Sequence, residues 1–280
     1  MLPVVTGQAD KAARFIALHQ RGRPLLMPNP WDAGSARLLA SLGFEALATT
    51  SSGHAATLGR LDYHVTREDA LTNAARIVEA TELPVSADLE DCFAAEPDGV
   101  AQTVRLAIDA GLAGCSIEDF SGEDQDPIYE RSRAAERVAA AAEAAHSGSG
   151  RLILTARAEN YLHGRPDLAD TIARLEAYQE AGADVLYAPG LTAVEDIRHV
   201  VESVDRPVNV LAVAGVPPVE ELARLGVCRL SVGGAFAFAA LGAVVDAATE
   251  LRERGTYGYA ELAATGRRAA QVAFAEKSPA

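Results

Sequence analysis

Apolar positions in this chain follow two rhythms that take turns. Short, nearly continuous apolar runs predict buried strands, and stretches with apolar residues at every third or fourth position predict amphipathic helices. Residues 9–20 predict a leading helix with a polar face, and 24–29 a first strand. A helix is expected over about 32–42, with Asp32 as its N-cap and Gly43 as its stop. A second strand over 44–50 runs into a small polar loop, Thr49 to Gly53. No clear period follows until Thr66 and Asp69, whose capping-box spacing opens a helix reaching Ala80. Beyond it, strands are expected at 84–90, 115–119, 152–157, 184–188, 207–213 and 229–233. The helices between them fall at about 98–110, 130–146, 167–181, 192–203 and 217–225, with a polar loop at 121–129 and a flexible connection at 146–150. Residues 235–277 are helical, broken around Gly255 to Gly258.

Eight strands separated by helices fit either a doubly wound sheet or a (β/α)8 TIM-type barrel. The barrel is favoured by the strand count and by where the polar residues fall. Asp88 and Glu90, Glu118 and Asp119, Arg157 and Glu159, and Ser51 and Ser52 all sit at C-terminal ends of strands, the face on which barrel enzymes carry their sites. No linker or short repeat divides the chain. All of 1–280 is expected to form one barrel domain, with 1–22 as a leading helix and about 235–277 as C-terminal helices for oligomer contact.

Composition narrows the function classes. A net charge of −14 argues against nucleic acid as a partner, which requires a basic face. The longest apolar run, Val232 to Val245, is too short to span a bilayer and reads as a buried strand and helix, so no membrane partner is expected. Cys92, Cys115 and Cys228 cannot all pair and show no Cys-x-x-Cys spacing, which with the absence of a signal pattern fits the reducing cytoplasm. The only lysines are Lys11 and Lys277, near the two ends of the sequence, so Schiff-base aldolase chemistry, pyridoxal phosphate attachment and a Walker-type loop are disfavoured.

The segment Pro84 to Asp91 carries the chemistry that remains. Residues two apart on a strand share a face, so Asp88 and Glu90 point together. With Glu118 they offer carboxylate oxygens and no nearby histidine or thiolate, a set that selects Mg²⁺ or Mn²⁺ over zinc. The plainer alternative is that these acids cap helices or pair with arginines at the barrel rim. Arg157 ends an apolar strand and could clamp a substrate carboxylate, or serve a structural ion pair with Glu118 or Glu159. Ser51, Ser52 and Gly53 could offer hydroxyls and N–H groups to an oxyanion, or form an ordinary turn. His54 is a candidate acid, base or substrate contact, and Tyr187 and Asn209 are candidate hydrogen-bonders in the pocket. Gly233 and Gly234 lie where many barrels hold phosphate, a position that close packing explains equally well.

The ordered set Ser52-Gly53, Leu58-Gly59 with Asp62, Ser86 to Glu90, Gly114 to Asp119, Thr155 to Glu159, Ala181 to Asp184 and the Gly-Val-x-Arg-Leu-Ser run at 226–231 resembles the isocitrate lyase/phosphoenolpyruvate mutase superfamily, over about residues 20–250. The resemblance implies a (β/α)8 barrel whose final helix is swapped with a neighbouring subunit in a homodimer or homotetramer. It implies a small-molecule 2-oxo acid bound with Mg²⁺. By position, Asp88 would be the direct metal ligand, Glu90, Glu118 and Asp62 would hold its waters, Ser52 and Gly53 would bind the enolate oxygen or carboxylate, and Arg157 would bind substrate. The chain also departs from the pattern. The lyases' Lys-x-Cys-Gly-His loop reads Phe120 to Tyr129 here, with no Cys, Lys or His, and the mutases' Lys and Asn are missing from it too. The usual Asp-Thr-Gly-Tyr-Gly is replaced by Glu90 to Ala94. What remains is the shared core. The expectation is a Mg²⁺-dependent carbon–carbon lyase or decarboxylase of an oxaloacetate-like 2-oxo dicarboxylate, through a metal-bound pyruvate enolate. The alternatives are a phosphoenolpyruvate or phosphonopyruvate P–C mutase or hydrolase, a methylisocitrate-type lyase, and a 2-oxo acid binder without turnover.

Overall fold

The computed structural model describes residues 7–122, 127–148 and 151–275. Its eight strands are β1 (Leu25–Met27), β2 (Leu47–Ala48), β3 (Val85–Asp88), β4 (Gly114–Glu118), β5 (Ile153–Arg157), β6 (Val185–Tyr187), β7 (Val208–Leu211) and β8 (Arg229–Ser231). All pair in parallel in the order β1-β8-β7-β6-β5-β4-β3-β2. The seam between β1 and β2 is drawn together by Ala48 N–H to Pro28 O at 3.1 Å and Asn29 Nδ2 to Thr49 O at 2.8 Å. The result is a nearly closed (β/α)8 barrel.

The helices start where local chemistry predicts. They are α1 (Gln8–Ala17), α2 (Ala33–Ser41), α3 (Ser51–Thr57), α4 (Arg67–Glu79), α5 (Pro97–Asp109), α6 (Arg131–His146), α7 (Leu168–Glu180), α8 (Val194–Ser203), α9 (Val219–Leu225), α10 (Ala235–Arg254) and α11 (Ala260–Phe274). Asp32 Oδ1 accepts from Ser35 N at 2.7 Å, capping α2, and Thr66 and Asp69 form the capping box of α4. The largest core lies between the barrel and its helices. There Leu154, Leu186, Val210 and Leu230 on strands meet Ile77, Val104, Ala141 and Leu222 on helices. A second cluster closes the N-terminal mouth, where Phe15 and Ala12 of α1 pack on Leu25, Ala46, Ala113, Ile153 and Val185. Burying Phe15 there stabilises the plug by roughly 1.5–3 kcal/mol. Gly114 makes this close fit possible, since a Cβ would lie 2.7 Å from Phe15 and 2.9 Å from the Ile153 carbonyl.

Two expectations need correction. The polar stretch expected to be a loop begins α3, because the Thr50 hydroxyl accepts from Gly53 N–H and initiates a turn that Ala55 and Ala56 continue. The apolar run Val232 to Val245 is not buried throughout. Phe236, Phe238, Leu241, Val244 and Val245 of α10 are exposed on this chain, the last two at 63%. The helix leaves the barrel, and the chain returns only with α11, whose Phe274 comes to rest against Gly34 of α2. Residues 276 and 277 of the expected C-terminal helices and 123–126 of the loop after β4 lie outside the described residues. Among the described residues no helix is long and apolar enough to cross a membrane.

Candidate active site

Because α1 plugs one mouth, the barrel opens only at the C-terminal ends of its strands. A polar cavity of about 190 Å³ lies there, lined by residues of every strand end but β4's last position. Of the residues expected from the sequence, Ser51, Ser52, Asp62, Asp88, Arg157, Tyr187 and Asn209 line it. Asp88 and Arg157, the last residues of β3 and β5, meet toward its open end. Arg157 NH1 donates to Asp88 Oδ1 at 2.9 Å and stands 3.2 Å from Glu118 Oε2, while its Nε donates to Glu159 Oε1 at 2.7 Å. Its guanidinium also lies over the Tyr187 ring, 5.2 Å from the centroid. Among the described residues NH2 of Arg157 has no such partner, which leaves it for a ligand. The other oxygen of Asp88 accepts from Ser51 N–H at 3.2 Å, so the first turn of α3 is tied to the end of β3.

Other expected residues stand one layer back. Glu118 is buried behind Arg157 and does not reach the cavity wall. Glu90 takes a left-handed backbone, φ 50°, and turns away from the cavity into a small void behind Asp88, which it shares with Ser51, Asn73 and His54. His54 therefore lies off the main cavity, and its Nε2 is buried without a partner among the described residues. Gly53 donates its N–H to Thr50 and packs on Trp31 and Ala237, so it supports the site rather than lining it. Asn209 is already engaged, accepting from Arg229 Nε and donating to Ser231, both at 2.9 Å.

Sequence reasoning passed over Tyr63, Ser86, Ser116, Thr155, Arg229 and Ser231, all of which line the cavity. A signal for most of them exists. Ser86 precedes Asp88, Ser116 precedes Glu118, Thr155 precedes Arg157 and Arg229 precedes Ser231, each by two residues, so each shares the inward face of its strand. Tyr63 carries no such signal. It sits in the loop after α3 with φ 61°, against Phe120, whose ring stacks on His163 at 3.8 Å between centroids.

The electrostatics are those of acids short of positive charge. Burial, followed by the nearby Asp88 and Asp62 carboxylates, pushes Glu90 up to about 8, and burial also raises Asp62. Burial raises Glu118 well above the ordinary carboxylate range despite Arg157 beside it. Glu90 Oε1 and Glu118 Oε1 are buried acceptors with no donor among the described residues. A divalent cation would satisfy this arrangement, and the groups lining the cavity near Asp88 are oxygens of Asp62, Ser51, Ser86 and Ser116, a set suited to Mg²⁺ or Mn²⁺. Among the described residues no three carboxylate, imidazole or thiol groups converge closely enough to grip one ion together. An ion in the cavity would therefore meet few protein oxygens, Asp88 and Asp62 being the carboxylates that line it, and would complete its shell with water, as Mg²⁺ tolerates. The donor set fits the ion.

Cys92, Cys115 and Cys228 are free thiols buried in the core, with Cys92 and Cys115 held protonated by burial. None replaces the missing loop cysteine of the lyases.

Comparison with known proteins places this geometry. Residues 15–252 match the family model described as phosphoenolpyruvate phosphomutase. A solved structure from Burkholderia cenocepacia J2315, described only in general terms as a lyase/mutase, is 52% identical and superposes with a TM-score of 0.93 over 96% of this chain and 98% of that one. The 2-methylisocitrate lyase of Escherichia coli K12 is 30% identical over 69% of this chain and 67% of its own length. Oxaloacetate acetylhydrolase, solved with its product oxalate, is 25% identical with a TM-score of 0.84, covering 96% of this chain and 95% of that one. With the barrel, the acid-ended strands and a family match over most of its length, the chain belongs to the phosphoenolpyruvate phosphomutase family, within the isocitrate lyase/phosphoenolpyruvate mutase superfamily.

Proposed function

We propose that this protein is a Mg²⁺-dependent carbon–carbon lyase or decarboxylase of a small 2-oxo dicarboxylate, working through a pyruvate enolate. The observation that carries the proposal is the junction of Asp88 and Arg157 at the mouth of the polar cavity, where a carboxylate suited to a hard cation lies beside a guanidinium with a free edge. The relatives support the chemistry by analogy, since one is named for cleaving 2-methylisocitrate and another for acting on oxaloacetate. Asp88 would bind the metal, with Asp62, the other carboxylate lining the cavity, holding its waters, and Glu90 and Glu118, expected from the sequence to share that role, standing one layer back. The bound ion would supply a Lewis acid for the keto oxygen and carboxylate of the substrate.

The remaining work falls to the chain. Arg157 NH2 would take the substrate carboxylate in a charge-assisted hydrogen bond, its own orientation fixed by Asp88, Glu118 and Glu159. As the bond at C3 breaks, its electron pair moves toward C2 and negative charge grows on the keto oxygen. The Ser52 hydroxyl, which lines the cavity 3.2 Å from that of Thr50, would donate to that charge. Decarboxylation needs no base in this step, so a site without the lyase cysteine retains a route. We also assign the exposed face of α10 to contact with a second copy of the chain in a homo-oligomer, consistent with a helix swap, and treat 1–280 as one domain.

The test is product release followed by NMR. The panel is oxaloacetate, its C3-substituted analogues, 2-methylisocitrate and phosphonopyruvate, each with Mg²⁺ and with EDTA. Pyruvate should form from an oxaloacetate-type acid above the metal-only background, and Asp88→Ala should reduce it at least about 100-fold. Release from phosphonopyruvate alone would establish P–C cleavage instead. Binding of the acids without turnover would establish the binder.

A further inference from the structure

The two ends of the cavity differ in charge. The mouth holds Asp88, Asp62 and the acids behind them, whereas the floor holds a cation, Arg229, which is 3% exposed. Other arginines in the interior are matched by acids: Arg137 by Asp91, Arg174 by Asp119 and Asp170, and Arg157 by Asp88, Glu118 and Glu159. Arg229 forms no ion pair with a carboxylate among the described residues. Its Nε donates to Asn209 Oδ1 at 2.9 Å, NH1 and NH2 each donate to Thr155 Oγ1 at 3.1 Å, and NH1 reaches His19 Nε2 at 3.4 Å. Every one of these acceptors is neutral. The His19 Nδ1–H donates to the Phe15 carbonyl at 2.9 Å, which leaves the Nε2 lone pair facing the arginine, and burial holds this ring down to about 3.

Burying an unmatched charge is costly, and a guanidinium does not escape by losing its proton. Five N–H groups meet four hydrogen bonds, so one N–H on NH2 is left over, and Arg229 lines the cavity. The Thr155 hydroxyl, an acceptor in both its bonds to Arg229, keeps its own proton for a ligand. The geometry points to a second anion subsite on the cavity floor, in which Arg229 NH2 and the Thr155 hydroxyl take the distal carboxylate of a dicarboxylic substrate. This rests on the reading above that the 2-oxo acid end lies at Asp88 and Arg157. Thr155 and Arg157 are two residues apart on β5, so the subsites are separated by about 6.6 Å along the strand. The floor thus gives the second carboxylate of the proposed dicarboxylate its own partner, whereas a monocarboxylic 2-oxo acid would leave the floor charge unmet.

The probes are oxalate and pyruvate, which are too short to reach the floor, and 3,3-difluorooxaloacetate, a four-carbon diacid long enough to reach it. Calorimetry with Mg²⁺ would compare wild type, Arg229→Gln and Asp88→Ala. Arg229→Gln should weaken difluorooxaloacetate about 10- to 100-fold and leave oxalate and pyruvate within about 3-fold, since a hydrogen bond to a charge contributes that much. Equal weakening of all three, or no weakening of any, would overturn the subsite. Should Arg229→Gln fail to fold, Thr155→Val keeps the cation and should give the same selective loss at roughly 3- to 10-fold. Asp88→Ala separates the two claims. If diacid binding survives it and EDTA, yet still falls in Arg229→Gln, the metal-centred reading fails while the floor subsite stands. If oxalate needs Mg²⁺ and Asp88 but no probe senses Arg229, the subsite alone fails.

Discussion

Arg157 shows how single residues trade stability for chemistry. Enclosing a guanidinium among Asp88, Glu118 and Glu159 desolvates every member; the acids hold Arg157 firmly charged, but Glu118 and Glu159 are themselves pushed up by burial, so such a group is weak evidence for stability. It is better explained as a fixed hydrogen-bonding edge. Glu159 reports the strain. Burial raises its carboxyl from 4.5 to about 7, with Arg157 opposing the rise and Asp119 adding to it. In the unfolded chain the group titrates near its ordinary value, so between 4.5 and about 7 the folded state holds a proton that the unfolded state lacks. This contribution is therefore fully present below that window and lost as pH rises through it. Urea unfolding of the metal-free protein should show stability falling from about pH 5 to pH 7.5, and Glu159→Gln should flatten the slope. A slope unchanged by the substitution would refute the assignment. At this scale the sequence was legible wherever charge interrupted an apolar strand, as at Asp88, Glu118 and Arg157. At Thr155 and Ser231 the two-residue spacing marked the inward face but not the role, because small polar residues on a strand look alike whether they face a ligand or a neighbour. Arg229 was hidden differently, inside a run noted only as a whole.

Among the elements, strands and long helices followed from periodicity, and α2 and α4 from their caps. The second strand shrank from the expected 44–50 to Leu47–Ala48, since Phe44 and Glu45 precede the pairing with β3 and Thr50 already caps α3. α3 was missed because Ser, Ser and Gly are indifferent helix formers, and the Thr50 cap that overrides them is a three-dimensional bond. α10 is the most instructive departure. Its apolar content suggested burial, but its Phe238, Leu241, Val244 and Val245 face outward from this chain. Exposed apolar side chains of that kind are where the proposed contact with a second copy would form. Val245→Glu should therefore lower the mass measured by light scattering toward that of one chain. A wild-type protein that already runs as a single chain, or an unchanged assembly in the variant, would contradict the oligomer assignment.

The whole molecule is a barrel closed at one end by α1 and chemically equipped at the other. Strand count and the repeated placement of acids at strand ends carried that architecture through the sequence, because a barrel repeats its sidedness at every strand. Shear and packing decide which layer each residue occupies, and so Glu90 and His54 lie behind the cavity while Thr155 and Arg229 lie within it. The proposed chemistry depends above all on a divalent cation at Asp88. Calorimetric titration of oxalate into the metal-stripped protein, with and without added Mg²⁺, in wild type and Asp88→Ala, tests it most directly. Oxalate should bind only when Mg²⁺ and Asp88 are both present. Binding of equal strength without the ion, or in Asp88→Ala, would contradict the account at its centre.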